Sequence, residues 1–365
     1  MDKDTGCIRE ISRRVRLSKS TVSKALHNCG NVDVGTKEAI LRAAREVQYD
    51  PAGARRAKIQ AGETVVGVVL PINPYAFWNE AIRGVKDAMA ALKGAHLTLS
   101  LYAGMHSEAD ALYCLDYMED MRADVLVVTP APFPAMTERL RGIAARIPVV
   151  FFNETADGVP FLFYAGANFY QDGMRLARAC RDALALRPDI LWIHGAHTPM
   201  SRRRDEGFRL EIQALLPALR WTGEVDVSAM TPSLLSAQLA RALHERERAF
   251  HSVYVSQDIL PQVCLALHKL RLDGVTVCGY ESPGRNEAYL NRNALAAVIR
   301  QDPYRQGYQC IQAVGDWLSQ GRLPDNRHLY IASRLRDGAE EVVAVELVRK
   351  GDIFIVKPGE NIPVD

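Results

Sequence analysis

The hydrophobic rhythm of the chain changes once, near residue 64, and the two rhythms predict two kinds of architecture. Before that point apolar residues recur every three or four positions. Ile8, Ile11 and Val15 form one set and Val22, Ala25 and Leu26 a second; Ile40, Ala43, Ala44 and Val47 form a third, in a segment opening at Thr36. This is the spacing of one helix face, so three short helices sharing a small core are predicted. Ser18 stands where the second helix should start, and a serine hydroxyl there can accept an orphan backbone N–H. Three such helices make a helix-turn-helix unit. Its second helix would carry Lys19, Ser20, Ser23 and Lys24 away from the core. Short hydroxyls and long cations are what base edges and phosphates need, although any small helical bundle with a polar face fits the same spacing.

From Thr64 onward, short β-rich apolar runs alternate with longer helical stretches. The runs are VVGVVL (65–70), LTLSLY (97–102), DVLVVT (124–129), PVVFF (148–152), DILWIH (189–194), SVYVS (252–256), VTVCGY (275–280) and ALAAVI (294–299). Continuous apolar strands alternating with helices predict parallel sheets covered on both faces. Their number favours two doubly wound lobes over one sheet. Ligands in such folds sit beyond the carboxyl ends of the strands, which here means the cleft between lobes.

Length and charge sharpen this division. A chain of 365 residues suits two or three domains. Its net charge of +2 conceals an asymmetry: residues 1–60 hold 13 Lys and Arg against 7 Asp and Glu, and the remainder holds 32 against 36. A basic head on a slightly acidic body is the footprint of a phosphate-binding module, with a solvated basic surface as the plain alternative. The seven cysteines have neither metal-ligand nor redox spacing, so free thiols in a reducing compartment are expected. The opening MDKDTGCIRE lacks the apolar core of a secretory signal, and VVGVVLPI is far short of a membrane span. A cytoplasmic protein with no membrane partner is expected. Catalytic signals are thin. HGAH at 194–197 sets two histidines three apart without a third ligand, and no phosphate loop or nucleophile elbow is present. The expectation is a protein that is not an enzyme and needs no metal or cofactor.

The segment SKSTVSKALHN, followed by VDVGTKEAILRAAREVQYDP, closely resembles the DNA-binding domain of the lactose-repressor and purine-repressor family. By that resemblance Lys19, Ser20 and Lys24 match base-reading positions of the recognition helix. Ser18, Thr21, Ser23, His27, Asn31 and Thr36 match positions that touch the DNA backbone or buttress the helix. Two residues depart from the family pattern. Arg16 stands in the inter-helix turn where glycine is usual, so the turn must accept a Cβ at some strain. Lys58 stands in the hinge where a leucine normally wedges into the minor groove. With Arg55 and Arg56 it can still grip phosphates, so DNA binding with altered bending is expected, or Ile59 serving as the wedge.

Residues 64–333 resemble the effector domain of the same family, through VVGVVLPINPYAFWNEAIRGV, SRRRDEGF, VYVSQD, VTVCGYES and AAVIRQDPYRQGY in that order. The resemblance implies an N-terminal all-α, lambda-repressor-like helix-turn-helix domain (1–50) and a hinge helix or linker (51–63). An α/β two-lobed domain like the type I periplasmic binding proteins (64–333) would follow, binding effector and forming a homodimer. Its candidate ligand residues are Phe77 and Trp78, one of which can instead pack under its loop, with Asn153, Arg204, Asp258, Glu281 and Gln301. Arg204 matches the family's ligand-anchoring arginine, while Glu281 replaces the usual aspartate. Carboxylates, an amide and an arginine around aromatic faces suit a polyhydroxylated ligand, a sugar or sugar alcohol first. Arg202, Arg203 and Arg204 suggest a phosphorylated sugar as an alternative, and a nucleobase or similar ring stays open. The implied function is a ligand-responsive repressor on a near-palindromic DNA operator. The rival is a cytosolic solute-binding protein that binds no operator.

The tail, 334–365, departs from this pattern. RDGAEEVVAVELVRKGDIFIVKPGENIPVD resembles the start of the actuator domain of P-type cation ATPases, without the pump's TGE and DKTG motifs. A fusion or assembly scar is the expectation, with the possibility that it covers a sheet edge.

Overall fold

A computed structural model describes residues 3–26, 33–47, 61–71, 76–102, 108–195, 197–228, 230, 234–246, 250–272, 274–281, 294–337 and 340–342. The elements in chain order begin with α1 (Lys3–Val15), α2 (Lys19–Leu26), α3 (Val34–Glu46), β1 (Thr64–Pro71), α4 (Ala76–Ala91), β2 (Ala95–Tyr102), α5 (Glu108–Asp120) and β3 (Val125–Val128). Next come α6 (Pro134–Ala144), β4 (Val149–Phe152), β5 (Phe163–Gly166), α7 (Phe169–Ala185), β6 (Asp189–His194), α8 (Pro199–Leu215), β7 (Arg220–Asp226) and α9 (Leu235–His244). The chain continues through β8 (Ser252–Val255), α10 (Leu260–Lys269), β9 (Thr276–Glu281), β10 (Ala294–Arg300), α11 (Pro303–Gln320), β11 (His328–Tyr330), β12 (Arg334–Asp337) and β13 (Glu340–Val342).

The three head helices close on one small core of Ile11, Val22, Ala25, Ile40, Ala43 and Ala44, flanked by Ile8, Val15, Leu17, Leu26 and Val47. These are the apolar positions whose spacing predicted the helices. The turn between α1 and α2 accepts its Cβ in the left-handed region, with Arg16 at φ 55°. Across it the Leu17 N–H donates to the Ser12 carbonyl at 3.1 Å. That bond spans six residues and satisfies an end carbonyl of α1, as a Schellman closure does. Ser18 caps α2, its Oγ accepting the Thr21 N–H at 3.1 Å. Asp33 does the same for α3, accepting the Thr36 N–H at 2.9 Å.

The chain divides into two compact units, the first comprising 1–167, 198–200 and 303–331, the second 168–197, 201–302 and 332–365. In the first, a six-stranded sheet runs β11-β5-β4-β3-β1-β2 with every pairing parallel. One face packs on α4 and α11 through Val66, Val68, Leu70, Val85, Ile311 and Val314. The other packs on α5 and α6 through Val69, Leu115, Met118, Leu126, Leu140 and Phe151. Both faces are buried, which is why the strands read as unbroken apolar runs. Helices α4 and α11 cross at reciprocal glycines: a Cβ on Gly84 would lie 2.0 Å from the Tyr304 carbonyl oxygen, and one on Gly307 would lie 2.2 Å from that of Ala81.

The second unit holds a seven-stranded sheet, β13-β12-β10-β9-β8-β6-β7. It is parallel from β10 to β7 and antiparallel where β12 joins β10 and β13 joins β12. Helices α9 and α10 cover one face and α7 and α8 the other. Here too the helices meet at glycines, since a Cβ on Gly173 would lie 2.3 Å from the Arg204 carbonyl and one on Gly207 would lie 2.2 Å from that of Tyr170. The start of the tail is thus an edge hairpin of this sheet. Cys114, Cys180, Cys264, Cys278 and Cys310 are buried free thiols.

Candidate functional site

On the head, the inward positions Val22 and Ala25 leave Lys19 and Ser20 exposed at the start of α2. Thr21 and Thr36 are half-buried, and the Thr21 hydroxyl lies 2.8 Å from the Ser18 Oγ. Ser23 and Lys24 belong to α2 by backbone, while their side chains lie outside the described residues, as do His27, Asn31 and the hinge residues Arg55, Arg56 and Lys58. A capped helix carrying the Lys19 cation and the Ser20 hydroxyl away from its core is chemically fit to meet a polyanion whose base edges offer donors and acceptors.

In the first unit, Phe77 and Trp78 occupy the opening turn of α4. Phe77 is buried in the core, and Trp78 is half-buried with its ring edge-on to Phe77 at 4.9 Å and to Phe152 at 6.4 Å. Asn153 follows β4 in a left-handed conformation, φ 59°, its N–H donating to the Ala165 carbonyl at 2.8 Å. Its buried Oδ1 has no hydrogen-bond partner among the described residues. A strained strand-end residue with an unused buried acceptor is what a donor-bearing ligand would satisfy.

In the second unit, Arg204 projects from α8 and is 8% exposed. Its guanidinium lies over the Tyr280 ring at 4.0 Å and the Phe169 ring at 4.3 Å. One Nη donates to the Ser256 carbonyl at 3.1 Å, and the buried Nε has no partner among the described residues. Two carboxylates accompany it. Asp205 accepts the Tyr254 hydroxyl at 2.9 Å, and Asp172 accepts the Ser333 hydroxyl at 2.6 Å. Burial pushes both carboxyls above the usual range, and the Arg204 charge opposes that rise. Tyr280 and Tyr254 are driven well above the ordinary phenol value by burial. Asp258 and Gln301, following β8 and β10, are half-buried. Glu281 closes β9, with its side chain outside the described residues.

Position in the sequence pointed to Arg204 but to none of the groups that hold it. Phe169, Tyr280, Ser256 and Asp205 come from three other places in the chain and from its own helix. His194 is the buried last residue of β6, and its ring clusters with Trp192 at 4.3 Å and His197 at 4.6 Å, those two lying 5.6 Å apart. No group of three His, Cys, Asp or Glu that could hold a metal occurs among the described residues. No described helix is long and apolar enough to cross a membrane.

The model of the periplasmic binding protein domain matches residues 66–322, and that of bacterial regulatory proteins of the lacI family matches 7–52. The P-type ATPase actuator domain matches 329–365. Among curated relatives, the ribose operon repressor of Bacillus subtilis is 24% identical over 279 residues, 74% of this chain and 78% of that protein. The HTH-type transcriptional repressor CytR of Escherichia coli is 28% identical over 150 residues, 41% and 42% of the two chains. The ribose operon repressor of Halalkalibacterium halodurans is 30% identical over 80 residues, 22% of this chain and 24% of that one. The chain therefore spans less than half the length of two of these three relatives.

Among solved structures, the glucose-galactose binding protein GanP of Geobacillus stearothermophilus superposes with a TM-score of 0.67 at 18% identity, covering 75% of this chain and 98% of that one. A carbohydrate transporter solute binding protein from Agrobacterium radiobacter gives 0.65 at 17%, covering 75% and 94%. These likenesses establish the two-lobed α/β fold. The chain belongs to the periplasmic binding protein domain family and carries at its N-terminal end a helix-turn-helix of the lacI family of bacterial regulatory proteins.

Proposed function

We propose that this chain is a ligand-responsive, sequence-specific transcription regulator, a repressor, working in the cytoplasm as a homodimer on a near-palindromic DNA operator. The observation that carries the reading is the union, in one chain, of a capped helix-turn-helix with a binding-protein fold. The relatives named above support it, since they are called operon repressors and transcriptional repressors.

Lys19, Ser20 and Lys24 read base edges in the major groove. Ser18, Thr21, Ser23, His27, Asn31 and Thr36 contact or buttress against the backbone, and Arg55, Arg56 and Lys58 add phosphate grip from the hinge. The effector is a small polar molecule, a sugar or sugar derivative. Trp78, backed by Phe77, takes its apolar face. Asn153, Arg204, Asp258, Glu281 and Gln301 share its hydroxyls, each of which needs a donor and an acceptor. Effector binding biases two states that differ in operator affinity.

Selection of bound fragments from a random DNA library, with purified protein at moderate salt, tests the reading. A near-palindromic site is the expected product. Salt-sensitive, sequence-blind retention would overturn operator recognition. Tight sugar binding with no DNA binding would favour the solute-binding rival. Within a recovered site, Lys24→Ala is expected to weaken binding by about 1–3 kcal/mol and relax preference at one position.

A further inference from the structure

A buried carboxylate beside the candidate effector arginine is held by a residue that the effector assignment does not use. Tyr254, on β8, is wholly buried, and its ring lies flat on Phe208 of α8, with centroids 3.8 Å apart and planes inclined by 2°. The ring is thereby fixed. Its hydroxyl meets α8 one turn before Phe208, donating to Asp205 at 2.9 Å. The other Asp205 oxygen, Oδ2, is buried with no hydrogen-bond partner among the described residues. Arg204 reaches the same stretch of chain, donating to the carbonyl of Ser256, two residues beyond Tyr254, at 3.1 Å. Its Nε–H is likewise buried and unpartnered among the described residues.

A carboxylate with an unused oxygen beside a guanidinium with an unused N–H should close into an ion pair. The chain itself shows that an Arg-Asp neighbour pair on a helix can do so. On α7, Arg181 and Asp182 stand in the same order and pair, with Nε at 2.8 Å and Nη at 2.7 Å from one carboxylate oxygen. Arg204 and Asp205 form no such pair, each having another partner. The difference lies in what else the carboxylate meets. Asp182 is exposed to water, whereas Asp205 is buried against a phenol fixed to donate to it. Burial raises the Asp205 pKa, while the Tyr254 bond and the Arg204 charge both oppose that rise, so the carboxylate feels both neighbours. An ion pair here would engage the guanidinium N–H groups that an effector needs, because a buried donor already satisfied gains little from a second acceptor.

We propose that Tyr254 is a positioning residue for effector binding: its hydroxyl holds the Asp205 carboxylate away from Arg204 and so leaves the guanidinium donors to the effector. Removing that hydroxyl turns Asp205 into an internal competitor for the arginine. The proposal rests on the effector reading above and deepens it, by naming what keeps the arginine of that site available.

The test uses the full chain with Tyr254→Phe, Asp205→Asn and the two combined, and D-ribose as the probe in calorimetry. Tyr254→Phe keeps the ring on Phe208 and should weaken D-ribose binding about tenfold, a coupling of the size that groups in contact show. The double variant, in which no carboxylate competes, should return to within about twofold of Asp205→Asn alone. A second readout needs no sugar. Isotope-labelled arginine reports the Nε–H resonance of Arg204, assigned by its loss in Arg204→Lys. Tyr254→Phe should move that resonance downfield as the ion pair forms, and adding Asp205→Asn should bring it back. A Tyr254→Phe loss that Asp205→Asn does not rescue makes the hydroxyl merely structural and overturns the proposal. So does an Arg204 resonance that Tyr254→Phe leaves in place. If wild type binds no D-ribose, it is the sugar reading that suffers, and the Arg204 resonance decides the proposal by itself.

Discussion

Replacing Arg16 with glycine is expected to stabilise the head, by an amount the turn geometry sets. Arg16 sits at φ 55° between two helices, bridged by the Leu17-to-Ser12 bond of 3.1 Å. A Cβ in the left-handed region costs about 1–2 kcal/mol. Glycine escapes that cost but loses about 0.5–1 kcal/mol through its larger freedom when unfolded. The net gain is about 0.5–1 kcal/mol, read against Arg16→Ala, which removes the guanidinium and keeps the Cβ. Amide hydrogen exchange at Ile11 and Val22, both buried in the head core, reports local opening in the full chain. Since 1.4 kcal/mol is a factor of ten, the glycine variant should exchange roughly two- to fivefold more slowly than the alanine variant. Equal rates, or faster exchange with glycine, would refute the idea that this turn stores strain.

Four further outcomes follow from the same geometry. Ser18→Ala removes the acceptor for the Thr21 N–H and should cost about 1 kcal/mol of head stability, with weaker operator binding in a mobility-shift titration; unchanged affinity would mean that the cap is dispensable. Gly207→Ala drives a Cβ to within 2.2 Å of the Tyr170 carbonyl and should destabilise by more than about 2 kcal/mol in urea unfolding. Gly142→Ala, with nothing within 4 Å, should stabilise by about 0.4–1 kcal/mol, so a shared sign would sink the packing argument. Arg204→Ala should leave an operator complex that no longer responds to effector; a surviving response would displace Arg204 from the site.

Legibility followed burial. Strands buried on both faces, such as β1, β3, β4 and β8, announced themselves as apolar runs. The edge strand β7, RWTGEVD, exposes most of its residues and shows no such run. Strand β5, FYAG, is as short and as buried as β3, β4 and β8 but ends in Ala-Gly and carries no β-branched residue, and β11 has only three residues, so neither stood out. The tail was readable as foreign to the pattern, yet its first strand pairs along β10 from Ala297 to Arg300. The head was the most legible part, because its whole core lies on three short amphipathic faces. At the candidate site, Arg204 was found by its place in a motif. Its aromatic partners were not, because Phe169 and Tyr280 are brought beside it by sheet order and helix crossing, which local spacing does not encode. The histidine pair was visible, while its ring contacts with Trp192 were not drawn from the spacing.

The glycine crossing of α7 and α8 bears on how a signal leaves Arg204. Gly173 on α7 abuts the carbonyl of Arg204 itself, with Gly207 completing the crossing one turn later. Side chains between two helices act as springs, since a rotamer change can absorb a small displacement. At this crossing the backbones bear on each other without such springs, so a shift of Arg204 along its helix axis is passed to α7 with almost no play. The joint works as a gear tooth rather than a cushion, and a chain that must turn a sub-ångström tug into a change of state profits from meshing of that kind.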